Sequence, residues 1–564
     1  MLSDFIQPGI ILIISGLLSL IAPRTLSKAI ILSGPVLTLA AVIINDCDKL
    51  TFMFGFIFAV ISIIGALYNL HVKDKYELAA EAIYAGSSIS VVFASHWIGM
   101  LIFWELMAVA SWLIVISSRT MAAQKAGFRY LLVHMLGGNL LLAGIMIKIY
   151  SGSAMIESLT GQIDAAYWLI LTGVAVNAAI PPLNAWIADA YPESTMGGTV
   201  YMGSFTTKVG VFCLIKLFAG THLLLYFGVF MAVWGACMAL IENDLRRLFA
   251  YHIISQVGYM VASLAIGSHT GIDGAAAHAF NNILYKGTLL MCAGTVISLT
   301  GKRKISELGG LAKKLPLTSA CFLTASMAIA GFPLLNGFVS KSLIMNAVAE
   351  SGYYWAELLL MVASIGTLMS VTLKINYFVF FGKSEITLDV SEKNVPVGRK
   401  LAMAAGAAGC IVIGLFPKLL YGITPYGIDG HPFTTDHVTQ YTELFAAAAI
   451  AFVMYIKHMK PKEKITLDTD WFYRKPLKAF IMWVSKSAES FRTKSGDMLG
   501  AFFQKFIYYL HNPIMLFTSE PQMPRDCLED DDVLQKPAGS LIALNFIIFS
   551  VILLIVLVKV RGSF

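Results

Sequence analysis

Apolar residues recur along this chain in runs of about 20, the length that crosses a bilayer as a helix. The runs predict spans near 5–23, 28–45, 51–71, 77–94, 97–118, 125–149, 166–188, 196–219, 223–241, 248–267, 274–299, 316–348, 354–382, 399–421, 438–457 and 540–558. Two of them break their own pattern. In 166–188, Pro181 and Pro182 remove two backbone donors in the middle of the run. The run at 316–348 is over-long and interrupted at Gly331-Phe-Pro333. Freed carbonyls in hydrocarbon are tolerated only where protein or a water-filled cavity satisfies them, so each break marks the bundle interior. A broken helix in each of two halves is the pattern of repeated transporter bundles.

The pattern changes after residue 464. Lys478, Lys486, Arg492, Lys494 and Lys505 alternate with Phe480, Trp483, Phe491, Met498, Phe502, Phe506 and Tyr509. Apolar positions three and four apart make an amphipathic helix, basic on one side and aromatic on the other. Such a helix lies along the membrane interface or a partner's flank, or folds back as a cytoplasmic hairpin. An acidic run, Glu529 to Asp532, precedes the last span.

Composition agrees with a polytopic membrane protein: 564 residues, 57% hydrophobic and 13% charged. A soluble domain of that balance would lack the polar surface to cover itself. The net charge of +7 sits in loops and speaks to orientation rather than to nucleic acid. Connections after odd-numbered spans are mostly basic (Arg246-Arg247 and Lys302-Arg303-Lys304 are examples), apart from the acidic turn after the seventh. Those after even-numbered spans carry almost no Lys or Arg, Lys49 excepted. The positive-inside rule then predicts a multi-pass protein of the inner (cytoplasmic) membrane with its N-terminus outside. The first run is long enough to be a span and has an acid before it, which argues against a cleaved leader. Seven scattered cysteines form no CxxC and no metal spacing, so no metal or cofactor is expected on this chain, nor a catalytic site of its own.

Candidate chemistry lies in ionisable residues placed inside spans, where each is costly and marks an ion path by default. They are Glu105, Lys208, His278, Lys286, Lys341 and Lys374. His134 fits a relay and a satisfied core histidine equally. His278, Asn282 and Lys286 are four apart, which stacks them along one side of a helix over about 12 Å. Such a row suits a proton wire, because histidine titrates near neutrality. The plain alternative for the first break and Lys208 is a proline kink and a snorkelling lysine.

Six segments in order resemble a known family: Trp104-Glu105-Leu106-Met107, Trp186-Ile-Ala-Asp189-Ala190, Thr207-Lys208-Val209-Gly210, Ser255-Gln256-Val257-Gly258-Tyr259, His278 to Lys286, and Gly331-Phe-Pro-Leu-Leu-Asn-Gly-Phe-Val-Ser-Lys341. They look like the antiporter-like proton-pumping subunits of respiratory complex I (NADH-quinone oxidoreductase), Mrp-type Na⁺/H⁺ antiporters and membrane-bound energy-converting hydrogenases. The resemblance covers roughly residues 50–425. It implies an all-α fold with a 14-helix core, two inverted five-helix repeats and broken helices, followed by a lateral helix and a final span. It implies that Glu105 is the carboxylate of the first half-channel, Lys208 and Lys286 the central lysines, and Lys341 the residue at the second break. One departure matters. Asn177 stands nine residues before Trp186, where the family carries the lysine that pairs with the glutamate; Asn282 stands where many members have a second histidine.

The expected organisation is N-terminal helices over 1–76, a first half-channel over 77–219, a second over 220–382, two further helices over 383–464, a lateral helix with its acidic linker over 465–538, and a terminal span over 539–564. Three functions fit: an H⁺ (or Na⁺/H⁺) translocating subunit working with other membrane subunits; an assembly subunit whose path is incomplete at Asn177; and a solute carrier, against which the Lys, His and Glu line argues.

Overall fold

The computed structural model describes residues 7–382, 390–428, 431–457, 459–461 and isolated positions between 471 and 483. The expected lateral helix and terminal span lie outside the described residues, apart from those positions. Of the tail's aromatic stripe, Phe480 and Trp483 are described, exposed and with ring centroids 6.0 Å apart.

The described residues are helical, and many of the helices are long and apolar enough to cross a membrane. In chain order they are α1 (Pro8–Ile21), α2 (Arg24–Ile44), α3 (Lys49–Tyr68), α4 (Lys75–Phe93), α5 (Trp97–Ile116), α6 (Met121–Tyr150), α7 (Ala165–Asn177), α8 (Trp186–Ala190), α9 (Met196–Ser204) and α10 (Thr206–Phe218). Then come α11 (Leu223–Ile241), α12 (Leu245–Ile266), α13 (His269–Thr300), α14 (Pro316–Ala330), α15 (Asn336–Glu350), α16 (Tyr354–Thr367), α17 (Val397–Leu415), α18 (Lys418–Tyr421) and α19 (Thr435–Tyr455). α16 runs on through Phe381 with the wider turns of a π-helix.

Helix ends are set by short polar side chains where the chain turns. Asp48, Asp74, Thr120, Asp164, Asp244 and Ser268 each accept a backbone N–H from the first turn of the helix that follows, satisfying donors the helix itself cannot. Gly267, Gly301 and Gly331 close α12, α13 and α14 at φ of 77°, 66° and 90°, where a side chain would be strained.

The same succession of neighbours occurs twice. α4 packs on α5, α5 on α6, α6 on α7, and α10 returns to α4 and α7. α11 packs on α12, α12 on α13, α13 on α14, and α16 returns to α11. α13 holds the two sets together, touching α3, α9 and α10 on one side and α14, α15 and α17 on the other. Every residue from Gly271 to Ile297 is buried, so α13 is covered all round. Large apolar side chains on α1, α2 and α19 face outward, as a lipid- or subunit-facing rim does. On a loop end of the bundle, Arg399 donates to His71 Nε2 at 2.8 Å and lies over the Tyr68 ring, tying α17 to the end of α3. Burial, and then this guanidinium, hold His71 below the ordinary histidine range.

The breaks at 178–185 and 331–335 fall where the prolines and Gly331 place them. A third was not expected: the run at 196–219 is two helices, α9 and α10, divided at Phe205 (φ −105°, ψ −73°).

Candidate functional site

The first half gathers its polar groups on α6. Tyr130, His134 and Gly138 are successive turns of one face. His134 Nδ1 lies 2.8 Å from Asn177 Oδ1, and its ring packs between Tyr130 and Trp186, with centroids at 4.1 and 4.5 Å. One turn on, Gly138 makes room for Glu105: a Cβ there would overlap Glu105 Oε1. Glu105 Oε1, His134 Nε2 and Asn177 Nδ2 are buried without a hydrogen-bond partner. Buried polar atoms in that state cost about 1–3 kcal/mol each, so they point to a site whose work needs them. Asn177, which stands where the family carries the lysine partner of the glutamate, bonds His134.

The break before α8 is sealed by a neutral group. Trp186 Nε1 donates to the Val176 carbonyl at 3.1 Å, across the gap in the helix. Outside the gap, Arg129 grips Asp189 with two bonds of 2.7 and 2.9 Å. Buried Arg246 gathers the carbonyls of Tyr191, Ser194 and Thr195 and the Thr199 hydroxyl.

Lys208 is fully buried at the unexpected break. Its Nζ donates to the Gly203 carbonyl at 2.8 Å, an acceptor freed because α9 ends at Ser204. On the other side of the same break, the Thr206 backbone N–H donates to the Tyr84 hydroxyl at 2.9 Å, and the Thr206 and Tyr84 hydroxyls are 2.6 Å apart.

The second half carries two hydrogen-bonded groups, one around His278 and one around Lys341. His278 Nδ1 meets the Ser340 hydroxyl at 3.0 Å, and its Nε2 meets Gln256 Oε1 at 3.2 Å and the Tyr285 hydroxyl at 3.4 Å. The Tyr285 hydroxyl also donates to Gln256 and accepts from Asn282 Nδ2, both at 3.1 Å. Lys341 Nζ donates to the Ala330 carbonyl at 3.2 Å and to Ser364 at 3.3 Å, and lies over the Tyr259 ring. The Tyr259 hydroxyl is bonded to the same Ser364 at 2.8 Å.

The expected row on α13 divides. His278 and Asn282 meet through Tyr285, whereas Lys286 turns to the Phe249 ring and carbonyl on α12. Near Phe249 on α12, His252 Nε2 bonds Ser370 at 2.9 Å. Lys374 stands apart, holding the Leu240 and Glu242 carbonyls at the end of α11. Sequence reasoning named no role for Gln256, Tyr285, Ser340, Ser364, His252, Tyr130 or Trp186. Trp186, Gln256, Tyr285 and Ser340 each lie inside one of the six family-like segments, which was a signal; Tyr130, His252 and Ser364 lie in none.

A family model described as "NADH:quinone oxidoreductase/Mrp antiporter, TM" matches residues 94–370. An uncharacterised protein of Methanocaldococcus jannaschii is 30% identical over 354 residues, 59% of this chain and 73% of that protein. Hydrogenase-4 component B of Escherichia coli is 27% identical over 424 residues; the match takes in 66% of this chain and 63% of the relative, somewhat under two thirds of its length. Among solved structures, a chain of the Mrp complex from Dietzia superposes with a TM-score of 0.67 at 19% identity, over 78% of this chain and 99% of that one, and so shares the fold.

Proposed function

On the premise that this chain belongs to the NADH:quinone oxidoreductase/Mrp antiporter membrane-subunit family, we propose that it moves protons across the membrane as one subunit of a multi-subunit complex. The observation that carries the reading is two adjoining buried polar groups inside helices that are otherwise apolar: Ser340 through His278 to Tyr285 and Asn282, and Lys341 with Ser364 and Tyr259, whose ring centroid lies 5.8 Å from that of His278. A buried ammonium with no carboxylate among its hydrogen-bond acceptors is costly to fold around, and a group able to release and recapture a proton repays that cost. Lys208, Lys286 and Lys374 extend the line; Glu105, His134 and Asn177 form its first-half end. The half-channels then span 77–219 and 220–382, with the N-terminus outside and the basic loops on the cytoplasmic side of the inner membrane. The tail over 465–564 would clamp neighbouring membrane subunits, which carry any redox chemistry.

A second reading, an assembly subunit that does not pump, is favoured by one observation: Asn177 is neutral and already occupied by His134. The two separate on Lys286. Lys286→Ala removes the charge, and Lys286→Arg keeps it without being able to deprotonate. A proton relay predicts that both variants assemble and both fail to transport, in vesicles holding the intact complex and read with a pH-sensitive dye. A charge that only holds structure predicts an active Lys286→Arg protein, and that result would overturn the reading. The same vesicles with Na⁺ in place of K⁺ show whether Na⁺ moves with the protons.

A further inference from the structure

Four buried polar residues on α4 and α6 belong to none of the groups described above as the ion line: Glu77, Glu81, Tyr84 and Tyr130. Glu77, Glu81 and Tyr84 are spaced four and three apart, so they share one face of α4. Glu77 is the third residue of the helix, close to the Arg119–Asp74 ion pair at its mouth. Tyr84 lies about 10 Å deeper along the axis. Glu77 is 7% exposed and Glu81 2%. Two carboxylates one turn apart repel, and burial adds to the cost. The hydrogen-bond partner of Glu81 is no cation but the Asn69 amide, whose Nδ2 reaches both carboxylate oxygens at 2.8 Å while its own Oδ1 stays buried without a donor.

The stripe ends on a cluster of hydroxyls at the α9–α10 break. Thr206 faces Tyr84 of α4, Tyr130 of α6 and Tyr191. The Tyr191 hydroxyl is buried there without a hydrogen-bond partner, and Tyr130 bonds Ser111 at 2.7 Å. Tyr130 in turn stacks on His134, one turn further along α6. With His134 Nδ1 donating to Asn177 Oδ1, its Nε2 carries the lone pair and is the open acceptor.

We propose that this ladder is a proton inlet to the first half, running from the loop end of α4 through Glu77, Glu81, Tyr84, Thr206 and Tyr130 to His134, with Glu105 beyond. The inference rests on the proton-moving reading above. In one transfer, protonated Glu81 gives its proton, across one turn and through water, to the Tyr84 oxygen while Tyr84 gives its own hydrogen to Thr206. Thr206 passes its hydrogen to Tyr130, and Tyr130 passes its own, again through water, to His134 Nε2. The hydroxyls end as they began; Glu81 is left a carboxylate and His134 an imidazolium. Asn177 positions the imidazole, and Gly138 lets Glu105 approach the same face to receive the proton next.

The test uses full-length protein with its partner subunits in liposomes, reading proton movement with a pH-sensitive dye. Tyr84→Phe keeps the ring and removes the hydroxyl; Glu81→Gln keeps the size and removes the exchangeable proton; Glu81→Asp keeps the carboxyl. The inlet predicts loss of most transport in Tyr84→Phe and Glu81→Gln and recovery in Glu81→Asp; for Tyr84→Phe, whose hydroxyl also accepts the Thr206 N–H, it predicts an assembled complex with a thermal midpoint lower by only a few degrees. Wild-type transport in both Tyr84→Phe and Glu81→Gln would overturn it. If Glu81→Gln fails to assemble, Tyr84→Phe decides alone: full transport rejects the inlet, and lost transport in an assembled complex with a midpoint within a few degrees of wild type supports it. Failure of the parent reading looks different, since wild-type liposomes themselves would then move no protons.

Discussion

The two interrupted helices solve one backbone problem with opposite chemistry. Each break leaves a carbonyl in the bundle interior that water cannot reach. At the first, the Trp186 indole of the downstream segment reaches back to Val176; at the second, the Lys341 ammonium of the downstream segment reaches back to Ala330, at 3.1 and 3.2 Å. The bond lengths match, yet one donor is a neutral indole and the other a charged ammonium. On the proton-moving reading proposed above, the first break is a structural joint, and the work of the first half moves to α6, where His134 and, one turn on at Gly138, the approach of Glu105 share one face. The second break, on the same proposed reading, is itself part of the conducting line. A helix break thus marks where an ion site can be built, and the residue that caps it decides whether one is.

The glycines beside the two sites should break this comparison most visibly. A Cβ on Gly337 would overlap the Ala328 carbonyl oxygen, which is backbone and cannot swing aside. Gly337→Ala should cost about 1–3 kcal/mol, as overpacking does, and lower the thermal midpoint of the purified complex. A Cβ on Gly138 would meet only the end of the flexible Glu105 side chain. Gly138→Ala should fold nearly as well and lose transport, because Glu105 is pushed from its place. Equal loss of stability in both variants would mean that the first-half site is as rigidly packed as the second.

Lys341→Met comes next. It deletes an ammonium that is fully buried and bonded to a carbonyl and a hydroxyl. Removing a buried charge without a counter-ion relieves desolvation, which offsets the lost bond to Ala330. Transport should vanish while the thermal midpoint stays or rises. A large fall in the midpoint with transport retained would make Lys341 a joint like Trp186, and the two halves would no longer differ.

Much of this was legible in the sequence. Apolar runs gave the spans, and Pro181, Pro182, Gly331 and Pro333 gave two breaks, because the cause of each is local. The break at Phe205 has no such cause. It is made by Tyr84 holding the Thr206 N–H and by Lys208 holding the Gly203 carbonyl, contacts between residues that no spacing rule brings together. Glu77 and Glu81 passed unnoticed for the opposite reason: acids near a helix start are commonplace, and only packing reveals that these are buried. The row of His278, Asn282 and Lys286 was a correct reading of helical spacing, yet Phe249 draws Lys286 away from the other two. Asn177 was placed by analogy where the family carries the lysine partner of the glutamate; the side chain it bonds is His134, which no pattern in the sequence could pair with it.

Trp186→Phe should have the smallest effect and is the cleanest test of the first break as a joint. The ring stays to pack against His134 and Tyr191, whose centroids lie 4.5 and 5.6 Å away. What is lost is the N–H bond to the Val176 carbonyl and the three ring atoms by which the buried indole exceeds a phenyl group. That carbonyl still accepts from the Ala179 backbone N–H at 3.0 Å, so it is not orphaned. The cost is then one ordinary hydrogen bond plus a small cavity, about 2 kcal/mol. In a complex of this size the thermal midpoint should fall by only a few degrees at most, and proton transport should be close to wild type. Transport lost at an unchanged midpoint would place the indole in the relay, holding the His134 ring at the angle that presents Nε2, and the first break would then belong to the mechanism as fully as the second.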